Sequence, residues 1–186
     1  MSHLFYIMGA SGVGKDSLIN YARNKINGSV RVLFAHRYIT RPAQAGNENH
    51  IALSSEEFQS RLAGNLFALH WESHGQYYGI GNEINGWLER GFHVVINGSR
   101  QYLPEAQRQY AQLKVILIEA SPETLKMRLE SRGRESAPDI KKRIDRNQEI
   151  QLGLPNVIRI HNDGPLEEAG EELLSIISAV KLGQLT

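Results

Sequence analysis

The sequence contains no cysteine among its 186 residues. Disulfide bridges, zinc–thiolate sites and cysteine nucleophiles are therefore excluded. Neither sign of charge is in clear excess, because 21 basic and 20 acidic residues leave a formal net charge of +1. This balance argues against a polybasic nucleic-acid-binding protein and against an acidic disordered chain. We therefore expect no nucleic-acid partner.

Long apolar runs are also absent. The first apolar stretch, Leu4–Met8, is too short to span a membrane, and no basic segment with a cleavage site accompanies it. The lack of cysteine fits a reducing compartment. We expect a cytoplasmic protein without a membrane partner, while the sequence leaves the oligomeric state open.

Short apolar runs alternate with helix-like segments along most of the chain. Strands are predicted at Leu4–Met8, Val30–Ala35, Phe92–Ile96, Val115–Ile118 and Val157–Ile160, and helices at Lys15–Ile26, Pro104–Tyr110, Pro122–Arg132, Ile140–Ile150 and Leu166–Val180. Strands that alternate with helices are typical of parallel βαβ units. The sequence therefore predicts a layered α/β fold with a parallel central sheet.

The alternation is interrupted between about residues 37 and 91. Arg41-Pro42 marks a loop, Ser54–Glu57 looks like a helix start, and Gly75–Gly79 reads as a turn between short strands. We predict one domain, with a core of residues 1–36 and 92–186 and a lobe inserted at about 37–91. Several arginines surround a predicted loop at Gly133–Asp139 and indicate a lid at about 132–147; they are Arg128, Arg132, Arg134, Arg143 and Arg146.

A phosphate-binding motif follows the first strand. The pattern G-x-x-x-x-G-K is matched, up to its last position, by Gly9-Ala10-Ser11-Gly12-Val13-Gly14-Lys15-Asp16. Glycines let the backbone wrap a phosphate, and the N-terminus of the next helix adds positive potential. Lys15 would reach the β- and γ-phosphates of ATP and act in catalysis. We therefore predict a three-layer P-loop NTPase fold in which Gly9–Asp16 and Ser17 bind ATP.

The last motif position departs from the usual serine or threonine, whose hydroxyl group binds Mg²⁺. Asp16 stands there, followed by Ser17, and the strand end that often carries a second acid has Asn97. A carboxylate is a hard, charged ligand for Mg²⁺. Our hypothesis is that the carboxylate directed at the metal has moved from that strand into the P-loop, with Asp16 and Ser17 as metal ligands.

Segments spread along nearly the whole chain resemble the guanylate kinase family. Besides the P-loop they are Thr40-Arg41-Pro42, Gly75-Gln76-Tyr77-Tyr78-Gly79, Arg128-Leu129-Glu130-Ser131-Arg132-Gly133, Lys142-Arg143-Ile144 and Asn162-Asp163-Gly164. The resemblance implies that Arg132 and Arg143 are catalytic lid arginines that close over ATP. It also implies that Asn162 and Asp163 bind ATP near the adenine.

The departures from that family concern the acceptor. Gln44 stands where a second phosphate-binding arginine is expected, His50 replaces a tyrosine, and Leu69 replaces the acidic residue that reads guanine. A leucine cannot accept hydrogen bonds from guanine, which would leave its donors unsatisfied. The phosphoryl-transfer residues are thus retained, while those for base recognition are lost.

A narrower resemblance includes these departures. Lys15-Asp16-Ser17, Ala35–Arg41, Glu48–Leu53, Tyr77–Gly81, Asn97–Arg100 and Arg132–Glu135 together resemble the ribose 1,5-bisphosphate phosphokinases. This resemblance implies that ATP and ribose 1,5-bisphosphate, a small phosphorylated sugar, give ADP and 5-phosphoribosyl 1-diphosphate in phosphonate catabolism. An acceptor with two phosphates requires many donors. Those we predict to bind it are Arg37, Arg41, His50, Tyr77, Tyr78 and Arg100, although a packing role is about equally plausible for His50.

Three other functions remain open from the sequence. A guanylate or other nucleoside monophosphate kinase would share the P-loop, but Gln44, Leu69 and Asn97 argue against guanine. A non-catalytic interaction module of the same family would not need Gly14-Lys15 and the lid arginines. A gluconate-type sugar kinase would share the P-loop but would not need the lobe around Tyr77-Tyr78.

Overall fold

A computed structural model describes most of the chain. The described residues are 2–26, 28, 30–43, 48–133, 136–151 and 156–179, and residues 146–151 are described by their backbone alone. Gln44, Arg134 and the side chain of Arg146, all named from the sequence, lie outside the described part. Among the described residues, no helix combines the length and apolar content that crossing a membrane requires.

Strands and helices alternate as the sequence predicts. In chain order the elements are β1 (Leu4–Gly9), α1 (Lys15–Lys25), β2 (Val32–Phe34), β3 (Arg37–Ile39), β4 (Ile51–Ala52), α2 (Ser55–Ala63), β5 (Phe67–Ser73), β6 (Gln76–Gly81), α3 (Glu83–Glu89), β7 (His93–Asn97), α4 (Leu103–Gln109), β8 (Lys114–Glu119), α5 (Pro122–Arg132), α6 (Ala137–Gln151), β9 (Ile158–His161) and α7 (Leu166–Ser178).

The central sheet has five strands in the order β2-β7-β1-β8-β9, and every neighbouring pair is parallel. Strand β1 lies in the middle and is buried almost along its whole length. Apolar clusters cover both faces of the sheet: one contains Leu18, Leu125 and Leu173 from the helices, and the other contains Ile84 and Leu103. The predicted three-layer α/β P-loop fold with a parallel central sheet is therefore confirmed.

A second sheet lies within residues 37–91. Its four strands follow the order β4-β3-β6-β5, with β3 antiparallel to β6 and β6 antiparallel to β5. Helix α2 begins after Ser54, whose hydroxyl group accepts a hydrogen bond from Glu57 N at 3.1 Å. The β5–β6 hairpin turns at His74 and Gly75, which both have positive φ angles.

Some boundaries differ from the sequence-based predictions for identifiable reasons. The predicted loop Gly133–Asp139 is shorter, because α6 already begins at Ala137. Strands β3 and β4 were not predicted, since three and two residues are too few to display an alternating pattern. Helix α5 has the predicted limits, because Ser121 caps its first turn and Gly133 ends it in a left-handed conformation.

Candidate active site

The P-loop connects the buried strand β1 to helix α1. Gly12 and Gly14 have φ angles of +96° and +88°, which side chains with a Cβ atom rarely adopt. Gly14 precedes α1, and no side chain caps the helix there. The first N–H groups of α1 are therefore left for an anion, as a phosphate-binding helix N-terminus requires.

Two side chains from distant parts of the chain support the loop from below. Asn162 Nδ2 donates a hydrogen bond to Val13 O at 2.7 Å, and Arg128 Nη1 donates to the same oxygen at 3.2 Å. A Cβ atom on Gly14 would lie only 2.5 Å from Asn162 Nδ2. Glycine at position 14 therefore permits a close contact between the P-loop and the segment after β9.

Asn162 and Asp163, the pair predicted to bind ATP near the adenine, both make hydrogen bonds within the protein. Asn162 is 3 % exposed, and its side chain contacts the P-loop backbone. Asp163 accepts a hydrogen bond from Ser121 N at 2.7 Å, and this bond is the largest cause that lowers the pKa of Asp163. Both residues therefore stabilise loops around the nucleotide site in this structure.

Lys15 lies among charges of both signs. Burial lowers the pKa of the Lys15 ammonium group, the carboxylates of Asp16 and Glu48 act in the opposite direction, and Arg37 and Arg100 lower it further. Its neighbours therefore include two of the arginines that the sequence predicts to bind the acceptor. An ammonium group so placed is suited to balance phosphate charge, because little water screens it.

Asp16 meets the end of strand β7. Asn97 Nδ2 donates a hydrogen bond to Asp16 Oδ1 at 2.8 Å, and the buried Asn97 Oδ1 has no hydrogen-bond partner among the described residues. A carboxylate and an amide oxygen are hard ligands of the kind that hold Mg²⁺ together with substrate phosphates. Asp16 and Asn97 thus fit a magnesium ion, whereas Ser17 is exposed on the first turn of α1.

A partly buried ion pair lies within the site. Arg37 donates two hydrogen bonds to the carboxylate of Glu48 through Nε and Nη2, and Arg41 Nη2 lies 3.4 Å from Glu48 Oε2. Asn97 Nδ2 approaches Glu48 Oε1 from the other side at 3.5 Å. Burial alone would raise the pKa of Glu48, but the hydrogen bonds and charge of Arg37, with help from Lys15 and Arg41, hold the pKa below its ordinary value.

Sequence reasoning gave no role to Glu48. It follows Gly46 and Asn47 in the sequence and precedes the two-residue strand β4, so no periodic pattern indicated where its side chain lies. The sequence offered one indication of its role, because Glu48 is a carboxylate that lies close in sequence to Arg37 and Arg41. Two arginines that share a buried region without phosphate require a nearby anion.

The aromatic pair Tyr77 and Tyr78 is divided between the two faces of the lobe sheet, because successive residues of a strand point in opposite directions. Tyr78 stacks on Trp71 with ring centroids 5.5 Å apart, and the Arg37 guanidinium group lies 5.0 Å from its ring centroid. Tyr77 stacks on Phe58 instead and lines a separate cleft of about 630 Å³. Tyr78 therefore packs against Trp71 and Arg37, whereas Tyr77 packs against Phe58.

His50 is buried, and both of its ring nitrogens lie near backbone oxygens. Nε2 is 3.0 Å from Arg41 O and Nδ1 is 3.2 Å from Glu48 O. The imidazole therefore joins the two ends of the segment that carries Arg41 and Glu48. This placement favours a role in holding the loop over direct contact with the acceptor.

Leu69, the position where the guanylate kinase pattern has an acid, is completely buried. It belongs to the apolar cluster with Trp71, Ile80 and Ile84. The leucine side chain has no polar atom, so it cannot form a hydrogen bond to a nucleobase.

The predicted lid arginines, Arg132 and Arg143, are not among the basic residues that surround Glu48, which are Lys15, Arg37 and Arg41. Arg132 is exposed at the end of α5, and Arg143 is partly exposed on α6. Arg128, one helical turn before Arg132, reaches the P-loop instead.

A parallel α/β sheet with a P-loop at the carboxyl end of its central strand defines the P-loop NTPase class. The family model described as Guanylate kinase matches residues 1–180. A crystal structure of guanylate kinase from Anaplasma phagocytophilum superposes with a TM-score of 0.74 over 98 % of this chain and 87 % of that one, at 16 % sequence identity. That likeness concerns the fold alone.

Closer relatives belong to a narrower group. A protein from Thiobacillus denitrificans named ribose 1,5-bisphosphate phosphokinase PhnN is 52 % identical over 94 % of this chain and 92 % of its own length. A protein of the same name from Desulfomicrobium baculatum is 51 % identical over 95 % of both chains. The chain therefore belongs to the guanylate kinase family and, within it, to the PhnN family, as the sequence motifs predict.

Proposed function

We propose that this protein transfers the γ-phosphoryl group of ATP to ribose 1,5-bisphosphate and so forms 5-phosphoribosyl 1-diphosphate and ADP. The observation that carries this proposal is membership of the PhnN family, at 52 % and 51 % identity over nearly the whole chain. The site supports it, because phosphate-binding groups are present and the position of the guanine-reading acid is a buried leucine. A place in phosphonate catabolism forms part of the same proposal.

The reaction needs no general base. An oxygen of the acceptor's 1-phosphate is already ionised near neutral pH, and it forms a new bond to the γ-phosphorus of ATP. The bond from that phosphorus to the β,γ-bridging oxygen breaks, and ADP leaves with the electron pair. Catalysis then depends on alignment and on neutralisation of charge.

Each part of the chain has a place in this scheme. The N–H groups of Gly9–Asp16 and the ammonium group of Lys15 hold the ATP phosphates. The lobe of about residues 37–91 binds the acceptor through Arg41, and Arg100, which follows strand β7 of the core, also binds it. A lid of about residues 132–147 brings Arg132 and Arg143 towards the nucleotide when it closes. Asp16, with Asn97 beside it, would hold Mg²⁺, whose positive charge would offset that of the ATP phosphates.

A guanylate kinase activity is the alternative to exclude. The structure offers an argument against it: Leu69 lies in an apolar cluster with Trp71 and Ile80. Guanine at this position would lose the acceptor that its N1–H and amino groups require.

The deciding experiment supplies purified protein with ATP, Mg²⁺ and either ribose 1,5-bisphosphate or GMP. ADP and the phosphorylated product are followed, and Lys15→Met serves as a matched inactive control. We expect turnover of the ribose bisphosphate and little turnover of GMP. The reverse preference would refute the proposed acceptor while leaving the P-loop assignment intact.

A further inference from the structure

Glu48 is a carboxylate at the centre of a site that otherwise consists of donors. Its side chain is only 10 % exposed, and Arg37 grips both of its oxygens. If the cluster served only to bind phosphate, a buried carboxylate there would oppose binding, because like charges repel. The presence of Glu48 therefore suggests that part of the acceptor must donate a hydrogen bond.

The free hydrogen-bonding capacity of Glu48 points away from Arg37. Arg37 uses one lone pair on each oxygen, while the contacts to Arg41 and Asn97 are long, at 3.4 and 3.5 Å. A carboxylate has about four acceptor positions, so each oxygen can still accept a shorter bond from a ligand. Arg37 is itself held from its other side by the Tyr78 ring at 5.0 Å, so the carboxylate is fixed in place.

Two residues that contact Glu48 have buried polar atoms without a hydrogen-bond partner among the described residues. These atoms are Arg41 Nε and Asn97 Oδ1. Buried polar atoms are nearly always satisfied by protein, water or ligand. A donor and an acceptor without partners on either side of a carboxylate match a hydroxyl group, which both donates and accepts.

The size of the crevice agrees with this chemistry. Glu48 lines it together with Asp16, Asn20, Arg37 and Asn97, and the free space is about 20 Å³. That space suits one water-sized group and excludes a whole sugar ring. A hydroxyl group attached to an acceptor that lies over the P-loop would fit.

Building on the proposed function, we infer that Glu48, held by Arg37, accepts a hydrogen bond from the 2-hydroxyl group of the ribose 1,5-bisphosphate acceptor and determines specificity for ribose over 2-deoxyribose. The 2-hydroxyl group is the one nearest the reacting 1-phosphate. Glu48 lines the same crevice as Asp16, the P-loop residue next to Lys15, which holds the transferred phosphoryl group. Arg37 thereby becomes a positioning residue, which acts through Glu48 rather than by binding acceptor phosphate.

The test compares kcat/KM for ribose 1,5-bisphosphate and 2-deoxyribose 1,5-bisphosphate. We expect the unmodified protein to prefer ribose by roughly 10- to 100-fold, the range that one hydrogen bond to a charged group provides. In Glu48→Gln this preference should fall to below about threefold. Glu57→Gln, a change on α2 where Glu57 pairs with Arg61 at 2.7 Å, is the matched control and should keep the full preference.

The ratio of kcat/KM for the two sugars distinguishes a contact to the 2-hydroxyl group from a purely structural role of Glu48. A carboxylate that only balances the charge of Arg37 would, when removed, lower kcat/KM for both sugars by the same factor and leave the preference unchanged, which would overturn the inference. Should Glu48→Gln not fold, the unmodified protein decides alone, because equal use of both sugars also overturns it. Turnover of neither sugar by the unmodified protein would instead refute the proposed function.

Discussion

Gly14→Ala offers a quantitative test of how the P-loop is supported. The change places a Cβ atom at a φ angle of +88° and only 2.5 Å from Asn162 Nδ2. A left-handed conformation costs a residue with a Cβ atom about 1–2 kcal/mol. Displacing the Asn162 amide also removes its hydrogen bond to Val13 O, worth about 0.5–1.5 kcal/mol. We therefore expect the free energy of unfolding to fall by about 1.5–3.5 kcal/mol.

Gly75→Ala is the matched control for this change. Gly75 has a φ angle of +72°, and a Cβ atom there would meet nothing within 4 Å. It should therefore show the conformational cost alone, about 1–2 kcal/mol. Urea unfolding of both variants, with the midpoint and the slope compared, separates the two contributions.

Asn162→Ala completes a double-mutant cycle with Gly14→Ala. If both changes remove the same hydrogen bond to Val13 O, the double variant should be less destabilised than the two single changes added together. Strict additivity, or a cost for Gly14→Ala no larger than for Gly75→Ala, would refute the view that Asn162 holds the P-loop.

Four further outcomes are expected from changes around the site. Lys15→Met should abolish phosphoryl transfer. The thermal unfolding midpoint should stay equal or rise, because burial lowers the pKa of Lys15 and so disfavours its charge in the folded protein. A lower midpoint would contradict this. Asp16→Ser should raise the half-saturating Mg²⁺ concentration at least about tenfold, and unchanged Mn²⁺ binding by electron paramagnetic resonance would rule Asp16 out as a ligand. The pKa of Glu48 lies below its ordinary value of 4.5. The ionised Glu48 therefore stabilises the fold above pH 4.5, and this stabilisation is lost as the pH falls through the lowered pKa. On acidification, the free energy of unfolding should fall less steeply in Glu48→Gln than in the unmodified protein, and an equally steep fall would contradict this. His50→Phe should cost about 1–3 kcal/mol, since a neutral imidazole donates to one of the two backbone oxygens, Arg41 O or Glu48 O, and that hydrogen bond is lost; a cost near zero would show that the loop does not depend on the imidazole.

Local patterns account for what the sequence predicts well. The P-loop is a contiguous segment with a fixed spacing. Leu4–Met8 in β1 and Val115–Ile118 in β8 are uninterrupted apolar runs, as is typical of strands buried on both faces. Helix α5 carries its own start and stop signals in Ser121 and Gly133. In each case the information lies within a few neighbouring residues.

Long-range contacts account for what the sequence could not reveal. Asn162 and Val13 are separated by 149 positions, so the support under the P-loop is invisible until β9 is placed beside β8. The division of Tyr77 from Tyr78 depends on the register of β6, which a single pair of tyrosines cannot specify. Counting donors near the P-loop predicted an acceptor site but could not distinguish the two faces of the lobe sheet.

Charge is the property in which sequence and structure differ most at this site. The sequence suggested donors for the acceptor and one carboxylate, Asp16, directed at a metal. The structure adds a second carboxylate, Glu48, near Lys15, Arg37 and Arg41. A purely cationic pocket would bind many polyanions, a second nucleotide included, because phosphate contacts carry little information about the rest of a ligand. Glu48 neutralises Arg37, which leaves phosphate binding to fewer cations and adds an acceptor that a bare phosphate cannot satisfy. Selectivity for a phosphorylated sugar then arises from a combination of groups, of which Glu48 is the one that rejects ligands without a hydroxyl group.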